Sequence, residues 1–91
     1  MPDIRRLIFD QQNEEHIARH GVTPEEVREV CESLPLVRRE RHNRLAVYGR
    51  TLAGRHLLAI LEPSAGGASY VVTARDMSRA ERRRYTGTRR K

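Results

Sequence analysis

The chain has 91 residues and a net charge of +6, with hydrophobic residues at 37% and aromatics at 4%. A chain of this length supplies one core and excludes a second domain, and without Trp that core must be aliphatic and small. The single cysteine, Cys31, excludes an intrachain disulfide; no stretch approaches the roughly 20 apolar residues of a membrane span and no signal-peptide pattern opens the chain, so a cytoplasmic location is expected.

Ile4 to Phe9 reads as a short edge strand, with Ile4, Arg6 and Ile8 on one side and Arg5, Leu7 and Phe9 on the other. Asp10 is placed to cap a helix from Gln11 to about His20, ended by Gly21 in a left-handed conformation. Its only apolar residues are Ile17 and Ala18, a weak hold on a core. Thr23-Pro24-Glu25-Glu26 combines a Thr N-cap, Pro at the first position and a Glu that completes a capping box. The helix it starts is expected to run to Leu34, with Val27, Val30, Cys31 and Leu34 as a core-facing stripe and Glu25, Glu29 and Glu32 outside. Cys31 reads as a core thiol, and Pro35 stops the helix.

From Leu36 the pattern shifts to short runs between turn residues, an antiparallel meander. Its strands are Leu36 to Glu40, Arg44 to Arg50, Arg55 to Glu62 and Tyr70 to Ala74. In the second, Leu45 and Val47 share one face and Ala46, Tyr48 and Arg50 the other. Leu57 to Leu61 is apolar on both faces, which marks the central strand. Pro63 to Gly67 is a flexible loop. Arg75 falls at the tip of the last strand, Arg75-Asp76-Met77 forms a short hinge, and Ser78 with Glu81 makes a capping box for a final helix. That helix carries Arg82, Arg83 and Arg84, with Tyr85 on the face of Glu81. Thr86 to Lys91 is expected as a loose basic tail beyond a domain of residues 1–85.

The resulting order, βααββββα, is α+β: an antiparallel sheet with two N-terminal helices and one C-terminal helix. The sheet face opposite the helices has nothing to cover it, and function is expected there. Charge points the same way. Residues 1–37 hold four basic against eight acidic side chains, −4, and the remainder carries +10. Seventeen of the 18 basic residues are Arg, whose forked donors suit phosphate, so nucleic acid is the natural partner. A solvated Arg-rich surface from a GC-rich genome would give the same composition.

No Cys, His and Asp cluster has metal-ligand spacing, since His16 and His20 lack a third ligand; neither metal nor cofactor is expected. Metal-free RNA cleavage needs a base for the 2′-hydroxyl, cations for the phosphorane and an acid for the leaving oxygen. Arg75, Arg50 and Arg55 at strand ends are candidate cations. His20, His42, His56, Glu81 and Tyr85 are candidates for proton transfer, with His56 and His20 favoured because imidazole titrates nearest neutrality. Arg55, Arg79, Arg82 and Arg83 are candidate RNA contacts. Each has a plainer reading. Glu81 caps a helix, Tyr85 packs on the sheet, His20 closes the first helix, His42 is solvated, and Arg75 pairs with an acid such as Asp76.

The run Arg19-His20-Gly21-Val22-Thr23-Pro24-Glu25-Glu26, followed by a meander and then by Val72-Thr73-Ala74-Arg75 and Ser78 to Tyr85, resembles the BrnT-type toxin family. The resemblance runs from Phe9-Asp10 to Tyr85 and departs at Asp76, where the family commonly has Lys, and at His16, where it often has Asn. It implies a RelE-like fold and a metal-independent ribonuclease toxin that cleaves mRNA and blocks translation. The implied partners are RNA and a small DNA-binding antitoxin, in a homo-oligomer or a toxin–antitoxin heterotetramer. The alternatives are a non-catalytic RNA- or protein-binding module and a structural protein that assembles head to tail through its acidic and basic halves.

Overall fold

Capped helix starts and turn-bounded strands set out the architecture. The computed structural model describes residues 4–89. It comprises β1 (Leu7–Ile8), α1 (Gln11–Ala18), α2 (Pro24–Glu32), β2 (Leu36–Glu40), β3 (Arg44–Arg50), β4 (His56–Pro63), β5 (Ser69–Asp76) and α3 (Arg79–Arg89). The sheet order is β1-β5-β4-β3-β2, so β4 is central as its two-faced apolar pattern demanded. The ladders from β2 to β5 are antiparallel, whereas β1 pairs parallel with β5. The sheet is therefore mixed. β1 is shorter than the expected Ile4–Phe9 because its register aligns Leu7 with Ser69, where β5 begins; earlier residues would face the turn around Gly67, whose φ is +90°.

One face of the sheet carries Leu45, Val47, Leu57, Ala59, Leu61, Val71 and Ala74, packed against Ile17, Val22, Val27, Val30 and Cys31 from the α1–α2 side. Burial pushes the Cys31 thiol up to about 12, so it serves as a small apolar group. Gly49 lets α2 approach β3: a Cβ there would stand 2.8 Å from Ser33 Oγ and 2.9 Å from the Val30 carbonyl oxygen. The hold of α1 is firmer than its two apolar residues implied. Asn13 is buried, completes the Asp10 capping box and donates from Nδ2 to the carbonyls of Ile8 and Val71 at 3.0 and 3.1 Å, tying α1 to two strands.

Leu34 does not join the core stripe. Ser33 ends α2, donating its hydroxyl to the Val30 carbonyl, and Leu34 then adopts φ +57° and turns its side chain out, 74% exposed. The helix stops before the stripe's fourth position comes round.

The second face is also covered, contrary to expectation. Ala46, Tyr48 and Leu58 form a smaller cluster with Tyr85 of α3, flanked by Leu36, Ile60 and Met77. An apolar surface on that face needs a cover, and Tyr85 is the large apolar side chain α3 offers. Two further boundaries move. β5 runs on through Arg75 and Asp76, paired with Leu58 and Leu57, so neither residue is in a hinge. α3 continues to Arg89, into the stretch expected as a loose tail; positions 90 and 91 lie outside the described residues. No helix among the described residues is long and apolar enough to cross a membrane.

Candidate active site

Both capping-box glutamates do double duty. Glu81 accepts from the Ser78 backbone N–H at 2.8 Å, while the Ser78 hydroxyl accepts from the Glu81 N–H at 3.1 Å. The same carboxylate takes a forked pair of bonds from Arg75, at 2.8 and 2.9 Å. That guanidinium, with help from the Ser78 N–H, holds the Glu81 carboxyl well below the usual carboxylate range, at about 2. Glu26 closes the α2 box by accepting from the Thr23 N–H at 3.0 Å and also receives Arg55.

Arg55 is the more heavily engaged arginine. It forks onto Asp76 through Nε and Nη2 at 2.8 and 3.0 Å, and donates to the carbonyls of Gly21 at 2.7 Å and His20 at 3.3 Å. Its guanidinium holds the Asp76 carboxyl below its ordinary value. Arg55 therefore joins the α1–α2 turn, the start of α2 and the end of β5. The expected guanidinium rim, free for a polyanion, is thus partly closed, because Arg55 and Arg75 are each paired with internal carboxylates.

A different group of expected residues does converge. Arg50 and His56 are cross-strand partners at the end of the β3–β4 ladder, so their side chains share the α3 face. The His56 ring lies edge to face with Tyr85, centroids 5.8 Å apart and planes at 82°. Together with Ser33, Thr51, Leu52 and Thr86 they line a cleft of about 480 Å³. Its rim at Leu52 is fixed from behind, since the Leu52 N–H donates to Glu29 of α2 at 3.0 Å. Burial, then the charges of Arg82 and Arg50, hold the His56 imidazole below its ordinary value, which favours the neutral ring.

His20 does not join this group. Its ring lies 5.6 Å from that of His16, edge to face, and it contributes its carbonyl to Arg55. His42 stands in the β2–β3 turn with φ +61°, at the other end of β3 from Arg50. No group of three or more His, Cys, Asp or Glu side chains among the described residues could hold a metal ion. Arg79, Arg82 and Arg83 line a neighbouring groove on α3 with Thr86 and Gly87. Sequence reasoning misses the hydroxyl lining from Ser33, Thr51 and Thr86. Ser33 is legible as a helix stop, but Thr86 reads as the first residue of a tail.

No protein-family model matches this chain, and neither does any curated protein sequence. Among solved structures, the 1.1 Å crystal structure of the Brucella abortus ribonuclease toxin BrnT aligns with a TM-score of 0.67 and 24% identity, covering 80% of this chain and 96% of that one. The two motifs around His20 and Arg75 thus led to the right architecture: this chain has the BrnT-type α+β fold.

Proposed function

We propose that this protein is a metal-independent ribonuclease, the toxin of a type II toxin–antitoxin pair that cleaves mRNA, works in the cytoplasm and is restrained by a small DNA-binding antitoxin. The observation that carries the reading is the His56 imidazole, held edge to face against Tyr85 in a cleft that Arg50 lines, with Arg82 close enough for its charge to act on the ring. The shared fold with a ribonuclease toxin supports it.

In this reading His56 takes the proton from a ribose 2′-hydroxyl. The 2′-oxygen attacks the adjacent phosphorus, the bond to the 5′-oxygen breaks, and that oxygen takes a proton from water at the open mouth of the cleft, the resulting hydroxide being neutralised by the proton that His56 then releases. The products are a 2′,3′-cyclic phosphate and a 5′-hydroxyl. Arg50 and Arg82 stabilise the phosphorane, whose charge exceeds that of the ground-state phosphate. Before the reaction their charge, added to the burial of the ring, disfavours protonation of His56. Tyr85 fixes the ring plane of His56. Arg75 and Glu81 are positioning residues, because their forked pair locks the first turn of α3 to β5 one turn before Tyr85. Arg55 similarly secures the start of β4 beside His56, with His20 supplying a carbonyl.

The test is incubation of the purified protein with unstructured RNA in excess EDTA. Cleavage to the cyclic phosphate, blocked by a 2′-deoxy substitution at the cut position, is expected. Intact RNA at protein concentrations that bind it in a salt-sensitive way would instead identify a non-catalytic binding module.

A further inference from the structure

Arg79, Arg82 and Arg83 differ from the three arginines whose ion pairs help to hold this fold. Arg28 pairs with Glu25, Arg55 with Glu26 and Asp76, and Arg75 with Glu81. The three on α3 are exposed and have no carboxylate partner among the described residues. They line one groove rather than radiating into solvent separately. Arg79 and Arg83 are spaced i, i+4, as are Arg82 and Thr86, so the four occupy one side of the helix. The groove is open at its far end, where a Cβ on Gly87 would meet nothing within 4 Å.

This groove is continuous with the His56 cleft. Thr86 lines both, and Arg82 lies near enough to act on His56 across the boundary. The combined surface runs from Leu52, 89% exposed, past Arg50, His56 and Tyr85 and along α3. Arg79 to Arg83 covers about 6 Å of helix axis, the scale of neighbouring nucleotides in an extended strand.

We infer that the α3 groove binds phosphates flanking the scissile one, so that the ligand is single-stranded RNA several nucleotides long, threaded from the Leu52 rim along α3. The inference rests on the ribonuclease reading only for which phosphate sits at His56. The spacing of these arginines along the helix suits one extended strand, and duplex RNA is the competitor against which this is tested. Forked guanidinium donors spaced along one side of a helix grip backbone without reading bases, so length rather than sequence governs binding through this segment.

The experiment measures anisotropy of a labelled 2′-O-methyl decamer, which cannot be cleaved, over a salt series. Relative to the native protein, Arg79→Gln/Arg83→Gln is expected to reduce the steepness of log K against log salt by about 1.4, at roughly 0.7 for each phosphate that is no longer neutralised. Arg79→Lys/Arg83→Lys retains the charge and should recover most of that steepness. Arg41→Gln removes one positive charge in the β2–β3 turn, at the far end of β3 from Arg50, and should leave the slope unchanged. Cleavage gives a second readout: the preference of the native protein for a decamer over a dinucleotide should collapse in the Gln double variant. An unaltered slope in that variant, or duplex RNA bound as tightly as the single strand, overturns the inference. Binding that behaves as expected with no cleavage by the native protein would remove the ribonuclease reading and leave the groove in place.

Discussion

Replacing Glu81 with Gln isolates the anchor that holds α3 to the sheet. Gln preserves the volume and can still close the capping box toward Ser78, but it cannot carry the charge that Arg75 grips. A carboxyl held at about 2 instead of 4.5 corresponds to roughly 3 kcal/mol between its charged and neutral forms. Part of that belongs to the cap, and the Arg75 side chain is 42% exposed, so solvent screening brings the loss to about 1–2 kcal/mol. For a chain of this size that lowers Tm by roughly 6–12 °C at neutral pH. The sign of the pH dependence follows from the depressed value. The native pair contributes fully above pH 4.5 and loses its contribution as pH falls toward 2. Thermal unfolding followed by circular dichroism from pH 7 to pH 2 should therefore show the two proteins far apart at pH 7 and converging in acid. Asp76, whose carboxyl Arg55 also depresses, is common to both proteins and cancels in the difference. Equal Tm values at pH 7, or a gap that persists unchanged at pH 2, would refute the assignment of Arg75 and Glu81 as an anchor.

Arg82→Gln removes a positive charge that opposes protonation of His56, so the imidazole should titrate closer to its ordinary value. The acid limb of the cleavage profile then moves to higher pH, and the His56 ring proton in NMR should report the same displacement. Gly49→Ala pushes a methyl against Ser33 Oγ and the Val30 carbonyl; the serine rotates but the backbone cannot, so a loss of about 1–3 kcal/mol is expected in urea denaturation.

Local signals are the legible ones. The caps at Asp10, Thr23 and Ser78 lie within three residues of what they bond, and β2 and β3 have the bounds that alternation and turn residues assign. What the sequence hides is long-range. Nothing near Arg55 in the chain says that its partners are Glu26 and Asp76, and nothing near Asn13 says that its amide reaches Val71. The packing of Tyr85 on the sheet is one of its two readings in the sequence, but its partners Tyr48 and Leu58 lie far away in the chain, so the second face reads as bare although α3 covers it. The candidate site is half legible as a spatial cluster. His56, Arg50, Tyr85 and Arg82 stand together, whereas Arg75, Arg55, His20 and Glu81 are bound into the scaffold around them.

The most direct measurement is single-turnover cleavage of an unstructured RNA in EDTA by the native protein and by His56→Ala, followed from pH 5 to pH 8. The native rate should rise with pH as the imidazole deprotonates, at a midpoint below that of an ordinary histidine. The Ala variant should be slower by about 10²–10⁴-fold and lose that rise. Undiminished cleavage by His56→Ala, with the same pH profile, would contradict the account.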